Sequence, residues 1–223
     1  VAACQAAGLK TLLVSGGFTF FSERIRAQLK LDFARANTLG VAHGKLTGTL
    51  FDRPWGDIVD GAEKKRVLLE VAELMGIELI EIDVDDQTHV PRVDDIERAI
   101  GPDTVGMYAS APSYSLGMVD PIPELGAIAA ERGRWLHVDA CVGGILAPFV
   151  REVGYEVPPF DFSVPGVTSI SADLHKSGYA AKPASTVSFR TRAHREFARY
   201  TFDDWPSGIY SSLTFTGTRP GGA

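Results

Sequence analysis

Apolar residues along this chain come in two rhythms. Short unbroken runs bounded by glycine or proline, such as "TLLV" (11–14), alternate with longer stretches whose apolar positions recur every three or four residues. The first rhythm predicts buried parallel strands and the second predicts amphipathic helices. The chain opens as helix ("VAACQAAGLK", 1–10), strand and glycine-rich turn ("TLLVSGG", 11–17), then helix ("FTFFSERIRAQLKL", 18–31). "FARANTLGVAHGKLTGTLF" (33–51) alternates on either side of His43-Gly44, which predicts a β-hairpin. "GAEKKRVLLEVAELMG" (61–76) reads as a helix closed by Gly76. Further strands are expected at 77–85, 103–112, 134–141, 163–173 and 184–190, with helices at 92–101 and 122–133. Strands alternating with helices imply an α/β fold with a mainly parallel sheet and flanking helices.

Composition narrows the function. Hydrophobic residues at 45% against 22% charged supply enough apolar surface for a core. A net charge of −6 argues against non-specific nucleic-acid binding. Cys4 and Cys141 stand far apart with no metal spacing, so the expectation is a reduced, cytoplasmic protein with no metal site. No apolar run approaches the roughly 20 residues of a spanning helix, and no signal peptide is recognisable at the start. The first residue is not Met and the last stretch, "GTRPGGA" (217–223), reads as a turn. Both ends are therefore expected to be cuts through a larger fold.

In open α/β sheets ligands sit beyond the carboxyl ends of the strands. Asp139 falls at such an end in "RWLHVDA", followed by Gly143 and Gly144, which permit close backbone approach. Lys176 follows another strand in "SISADLHK". Such an acid and amine can form a plain ion pair. They also match what pyridoxal phosphate requires, namely a carboxylate under the ring nitrogen and a lysine to bond its aldehyde. A pocket that lowers the lysine's pKa would make the amine nucleophilic. Ser169, Ser171 and His175 are candidate donors to the cofactor phosphate.

From about residue 72 onward the chain resembles the sphingosine-1-phosphate lyases and related group II pyridoxal-phosphate decarboxylases. The resemblance is carried by "SAPSYSLGMVDPIPEL" (110–125), "LHVDACVGGILAPF" (136–149), "PPFDFSVPGVTSISADLHKSGYAAKPAS" (158–185) and "DDWPSGIYSSLTFTGTRPGG" (203–222). It implies part of the large domain of a fold-type-I pyridoxal-phosphate enzyme over residues 71–223. It also implies that Lys176 bonds the cofactor as an imine, Asp139 meets the pyridinium nitrogen and His175 contacts the phosphate. His137 lines the site or is a hydrogen-bonded core histidine. Ser110 faces the site or is an ordinary strand-end hydroxyl. Arg219 binds an anion or caps a turn. Ser177 and Pro183 depart from the family pattern, which favours an aromatic residue and a glycine there.

Residues 1–70 resemble the middle of a bacterial phosphoserine phosphatase of the haloacid-dehalogenase superfamily, through "AAGLKTLLVSGGFTFFSERIRAQLKLDFARANTLGVAHGKLTGTL" (6–50) and "GDIVDGAEKKRVLLE" (56–70). That likeness implies a partial Rossmann-like segment in which Ser15 and the Gly16 amide hold a phosphoryl group and Lys64 neutralises it. The bare residues read as a strand-to-helix turn able to bind an anion. The aspartate nucleophile and later Asp pair of that family have no counterpart in these segments. The lyase resemblance in turn implies a ring-stacking histidine on the helix before "GIELIEIDVD", and 61–76 contains none. The expectation is a lyase or decarboxylase of an amine or amino acid with weak turnover, a homodimer by analogy. The alternatives are a phosphatase and a non-catalytic chimera joined near residues 64–73.

Overall fold

The computed structural model describes residues 5, 10–51, 61–182, 184–202 and 208–213. The chain divides into two units, residues 1–80 with 200–211 and residues 81–199 with 212–223.

In the first unit β1 (Leu12–Phe18) pairs in parallel with β2 (Phe33–Asn37), and α1 (Thr19–Leu29) makes the crossover. The sequence places residues 33–51 in one hairpin. Only β3 (Leu39–Ala42) and β4 (Lys45–Leu50) form it, because pairing with β1 buries Ala36 and claims the preceding segment. His43 and Gly44 both take the left-handed backbone (φ 50° and 76°) that a two-residue hairpin turn needs. α2 (Gly61–Leu74) buries Val67 and Val71, one turn apart on one face. Its end follows the Schellman pattern: Ile77 N–H donates to Ala72 O at 2.8 Å and Gly76 N–H to Glu73 O at 3.0 Å, with Gly76 at φ 67°. A short two-stranded sheet, β9 (Tyr200–Phe202) with β10 (Tyr210–Ser212), comes last in the described chain.

The second unit is built on a sheet ordered β5 (Gly106–Ser110), β6 (Trp135–Asp139), β7 (Ser169–Asp173), β8 (Ser185–Phe189). The first three strands are parallel and β8 is an antiparallel edge. α3 (Val93–Ala99) and α4 (Ile122–Arg132) supply Ile96, Ile122, Leu125 and Ala129 to a core with Leu136, Val138, Val167 and Ile170. α5 (Ala147–Glu152) adds Ala147, and α6 (Arg192–Glu196) follows β8. Gly126 and Gly166 let α4 approach the 162–167 loop, since a Cβ on Gly166 would overlap the Gly126 carbonyl.

One expected strand is absent. Residues 77–83 have no regular structure, and the segment makes only an isolated bridge from Val84 to Pro91. Its apolar run predicts burial, yet Ile77, Leu79 and Ile80 are exposed, with no strand beside them among the described residues.

Candidate active site

The alternation of β6 sets the site. Leu136 and Val138 are fully buried, so Trp135, His137 and Asp139 emerge on the opposite face. Register then fixes their neighbours. Tyr108 lies beside His137 and Ser110 beside Asp139 on β5, while β7 sets Ser169 beside His137 and Ser171 beside Asp139.

Asp139 is held by donors from three residues. Its Oδ1 accepts from the Cys141 N–H at 3.0 Å and the Ser171 hydroxyl at 3.1 Å, and its Oδ2 from the Tyr108 hydroxyl at 2.7 Å. Burial acts to raise its pKa, but the donors from Cys141, Tyr108 and Ser171 prevail and hold it below the usual carboxylate range. The same pairing, with burial first, pushes the Tyr108 hydroxyl well above its ordinary value. Ser171, expected to serve a phosphate, spends its proton on Asp139 instead. Ser169 is likewise engaged: buried, it receives the Trp135 indole N–H at 2.9 Å and lies 2.8 Å from His137 Nδ1. Burial keeps the imidazole below its ordinary pKa, with Asp139 pulling the other way. His137 is hydrogen-bonded within the sheet and lies on the Asp139 face.

Lys176 sits in the turn 174–178 after β7. Its Nζ donates to Asp173 Oδ2 at 2.9 Å and to Cys141 Sγ at 3.0 Å. The ion pair expected with Asp139 is therefore made with Asp173. Cys141 and then Asp173 raise the ammonium's pKa, the opposite of the expected lowering. The turn is fastened to the one after β6: Ser177 donates to Val142 O at 2.6 Å, and Asp173 N–H to Cys141 O at 3.3 Å. Cys141 touches both sides, through its N–H to Asp139 and its sulfur to Lys176. Asp139 and Lys176 are consequently brought to one place. His175 Nδ1 lies 2.9 Å from Ala184 O, and Nε2 is 3.8 Å from Asp173 Oδ2. Its ring is engaged locally.

Ser110 is half-buried, and its N–H donates to Asp120 Oδ2 at 2.7 Å. Gly143 and Gly144 are required by packing, since a Cβ would fall 2.5 Å from Pro112 Cδ and 2.7 Å from Ala140 O respectively. In the first unit the Ser15 hydroxyl accepts the Gly17 N–H at 3.0 Å, and Ser15 and Gly16 lie inside β1, where the pairing register shifts, instead of in a turn. Lys64 is exposed on α2. Cys4, Pro183 and Arg219 lie outside the described residues.

Sequence reasoning missed Asp173, Tyr108 and Cys141 as site members. Tyr108 was accessible from period-two alternation, two residues before Ser110. Cys141 and Asp173 depend on which loops meet.

The conserved domain of pyridoxal-dependent decarboxylases matches residues 44–199. The chain belongs to the pyridoxal-dependent decarboxylase family. Within or beside that family, it is 40% identical over 153 residues to sphingosine-1-phosphate lyase of Dictyostelium discoideum, covering 69% of this chain and 29% of that protein. The solved sphingosine-1-phosphate lyase of Burkholderia pseudomallei K96243 is 40% identical and superposes with a TM-score of 0.62, over 68% of this chain and 35% of that one. A probable phosphoserine phosphatase from Vibrio cholerae is 40% identical over 34% of this chain and 23% of its own, with a TM-score of 0.30. The chain thus spans roughly a third or less of these relatives' length.

The family's cofactor is pyridoxal phosphate, and the donor set fits it. Asp139 presents a carboxylate on the same sheet face as Ser110 and His137, oriented by Tyr108, Ser171 and Cys141. The low pKa of Asp139 keeps it ionised, as a pyridinium partner must be. Lys176 supplies an amine on the adjoining turn. Among the described residues no helix is long and apolar enough to cross a membrane.

Proposed function

We propose that this chain carries the cofactor-anchoring part of a lyase, of the carbon–carbon or carboxy-lyase kind, acting on a small amine or amino acid in the manner of the sphingosine-1-phosphate lyases. The observation that carries this reading is the meeting of Asp139 and Lys176 on Cys141, from the ends of adjacent parallel strands. When bound, pyridoxal phosphate supplies an electron sink for breaking a bond beside the substrate nitrogen. Asp139 Oδ2 would keep a proton on the ring nitrogen, with Ser171, Tyr108 and the Cys141 amide fixing its orientation. Lys176 Nζ would be the covalent anchor. His175, next to it, is our candidate phosphate contact, and Ser110 and His137 border the same face.

Turnover is expected to be weak, because α2 carries no histidine to stack on the ring. We further propose that residues 1–70 form a phosphatase-like segment, with Ser15, Gly16 and Lys64 as its phosphate-binding remnant, and residues 71–223 the lyase-like one. A cytoplasmic homodimer is the proposed setting.

The test is an absorbance spectrum after addition of pyridoxal phosphate, beside Lys176→Ala. A band near about 420 nm, where the lysine-bound cofactor absorbs, should appear and vanish in the variant. No band, or one indifferent to Lys176, sinks the proposal. Release of phosphate from phosphoserine in the presence of Mg²⁺ would favour the phosphatase reading instead.

A further inference from the structure

Asp173 closes β7 as a buried residue, and Lys176 stands one turn beyond it. Two bonds join them: Nζ to Oδ2 at 2.9 Å, and the Lys176 N–H to the Asp173 carbonyl at 3.2 Å. Ser185, across the β7–β8 pair, donates to Asp173 Oδ1. His175 Nε2 faces Oδ2 at 3.8 Å. From the β6 side Cys141 Sγ receives Nζ, with Asp139 behind it on the Cys141 N–H. Asp173, His175, Cys141 and Asp139 are thus the titratable groups around this amine. Only Asp173 among them sets a carboxylate directly on Nζ. The Cys141 thiol, pushed up by burial and by Asp139 and pulled back by Lys176, also favours the ammonium through its sulfur. The tie is also conformational. A lysine pinned to the end of its own strand is held in one of its many rotamers, which costs side-chain entropy that the bond to Asp173 offsets.

We propose that Asp173 is a positioning residue that keeps Lys176 protonated and tied to the end of β7, so that capture of an aldehyde by this lysine is gated by pH. The proposal rests on reading Lys176 as the aldehyde-reactive amine. Capture requires the free base: Nζ releases a proton to solvent, its lone pair attacks the carbonyl carbon, and water departs as the C=N bond forms. Each unit by which the partner carboxylate raises the amine's pKa lowers the free-base fraction about tenfold below that pKa. Capture is therefore slow at neutral pH and rises on the alkaline side.

The test uses the full chain without cofactor. Pyridoxal lacking its phosphate serves as the aldehyde probe, borohydride traps the product, and mass spectrometry quantifies the Lys176 peptide across a pH series. Asp173→Asn retains an oxygen for Ser185 but removes the charge. It should raise capture at neutral pH roughly tenfold and move the midpoint to lower pH. Ser185→Ala, which keeps the charge, should leave the midpoint in place. An Asp173→Asn profile that coincides with the parent's, or lies below it at every pH, overturns the proposal. Should Asp173→Asn fail to fold by circular dichroism, the parent decides alone: a Lys176 midpoint at or below that of an unstructured lysine peptide overturns it. Because no pyridoxal phosphate is present, loss of the 420 nm band counts against the lyase reading and not against this one.

Discussion

The Tyr108 hydroxyl donates to Asp139 Oδ2 at 2.7 Å across the β5–β6 pair. Tyr108 lies on the neighbouring strand two residues before Ser110, the residue paired with Asp139, so the bond runs diagonally over the sheet face. It leaves the carboxylate ionised and nearly saturated with donors. Tyr108→Phe should raise the Asp139 pKa toward the ordinary range and cost about 1 kcal/mol of stability. A carboxylate titration by carbon-13 NMR and denaturant midpoints check both effects. An unmoved Asp139 pKa contradicts the assignment.

Asp139→Ala should abolish the absorbance band, since no anion then remains to hold a proton on the cofactor's ring. Asp139→Glu should keep part of it at weaker cofactor affinity. Equilibrium titration with pyridoxal phosphate separates these cases, and equal affinity in both variants argues against a ring contact.

The sheet face is positioned by the core beneath it. Leu136→Ala, at a fully buried site, should cost about 2–5 kcal/mol in urea unfolding. Gly166→Ala should cost about 1–3 kcal/mol by a different mechanism, overpacking against the Gly126 carbonyl of α4. Wild-type midpoints in either variant would contradict the packing described.

Stability should fall in two stages on acidification. Burial holds His137 below its unfolded value of about 6.5, so the unfolded chain binds its proton first and stability declines as pH drops below that point. Asp139 and Asp173, held low by their donors in spite of burial, add a second loss below about pH 4. Asp120, raised by burial, acts in the opposite sense: its contribution is present at low pH and lost as pH rises through its folded value. Urea midpoints across pH for the parent and His137→Gln should differ in the first stage only. Identical curves refute the assignment to His137.

Much of the second unit was legible in the sequence, because local signals there agree with tertiary burial. Glycine and proline bracket β5 to β8, and α4 has both an apolar face and Gly133 to stop it. Asp139 and Lys176 were readable as strand-end residues for the same reason. The run at 77–83 misled because an apolar strand needs a partner, and no local pattern supplies one. The hairpin at His43-Gly44 was visible, whereas the pairing of residues 33–37 with β1 was not, since parallel partners are distant in sequence. By itself the sequence determined the sheet's alternation, its turns and the chemistry of the acid and the amine. Only the tertiary structure decided which carboxylate the amine meets. Asp173 reaches Lys176 within one turn, while Asp139 is taken up by Ser171, Tyr108 and a backbone N–H, contacts that exist only once three strands lie side by side.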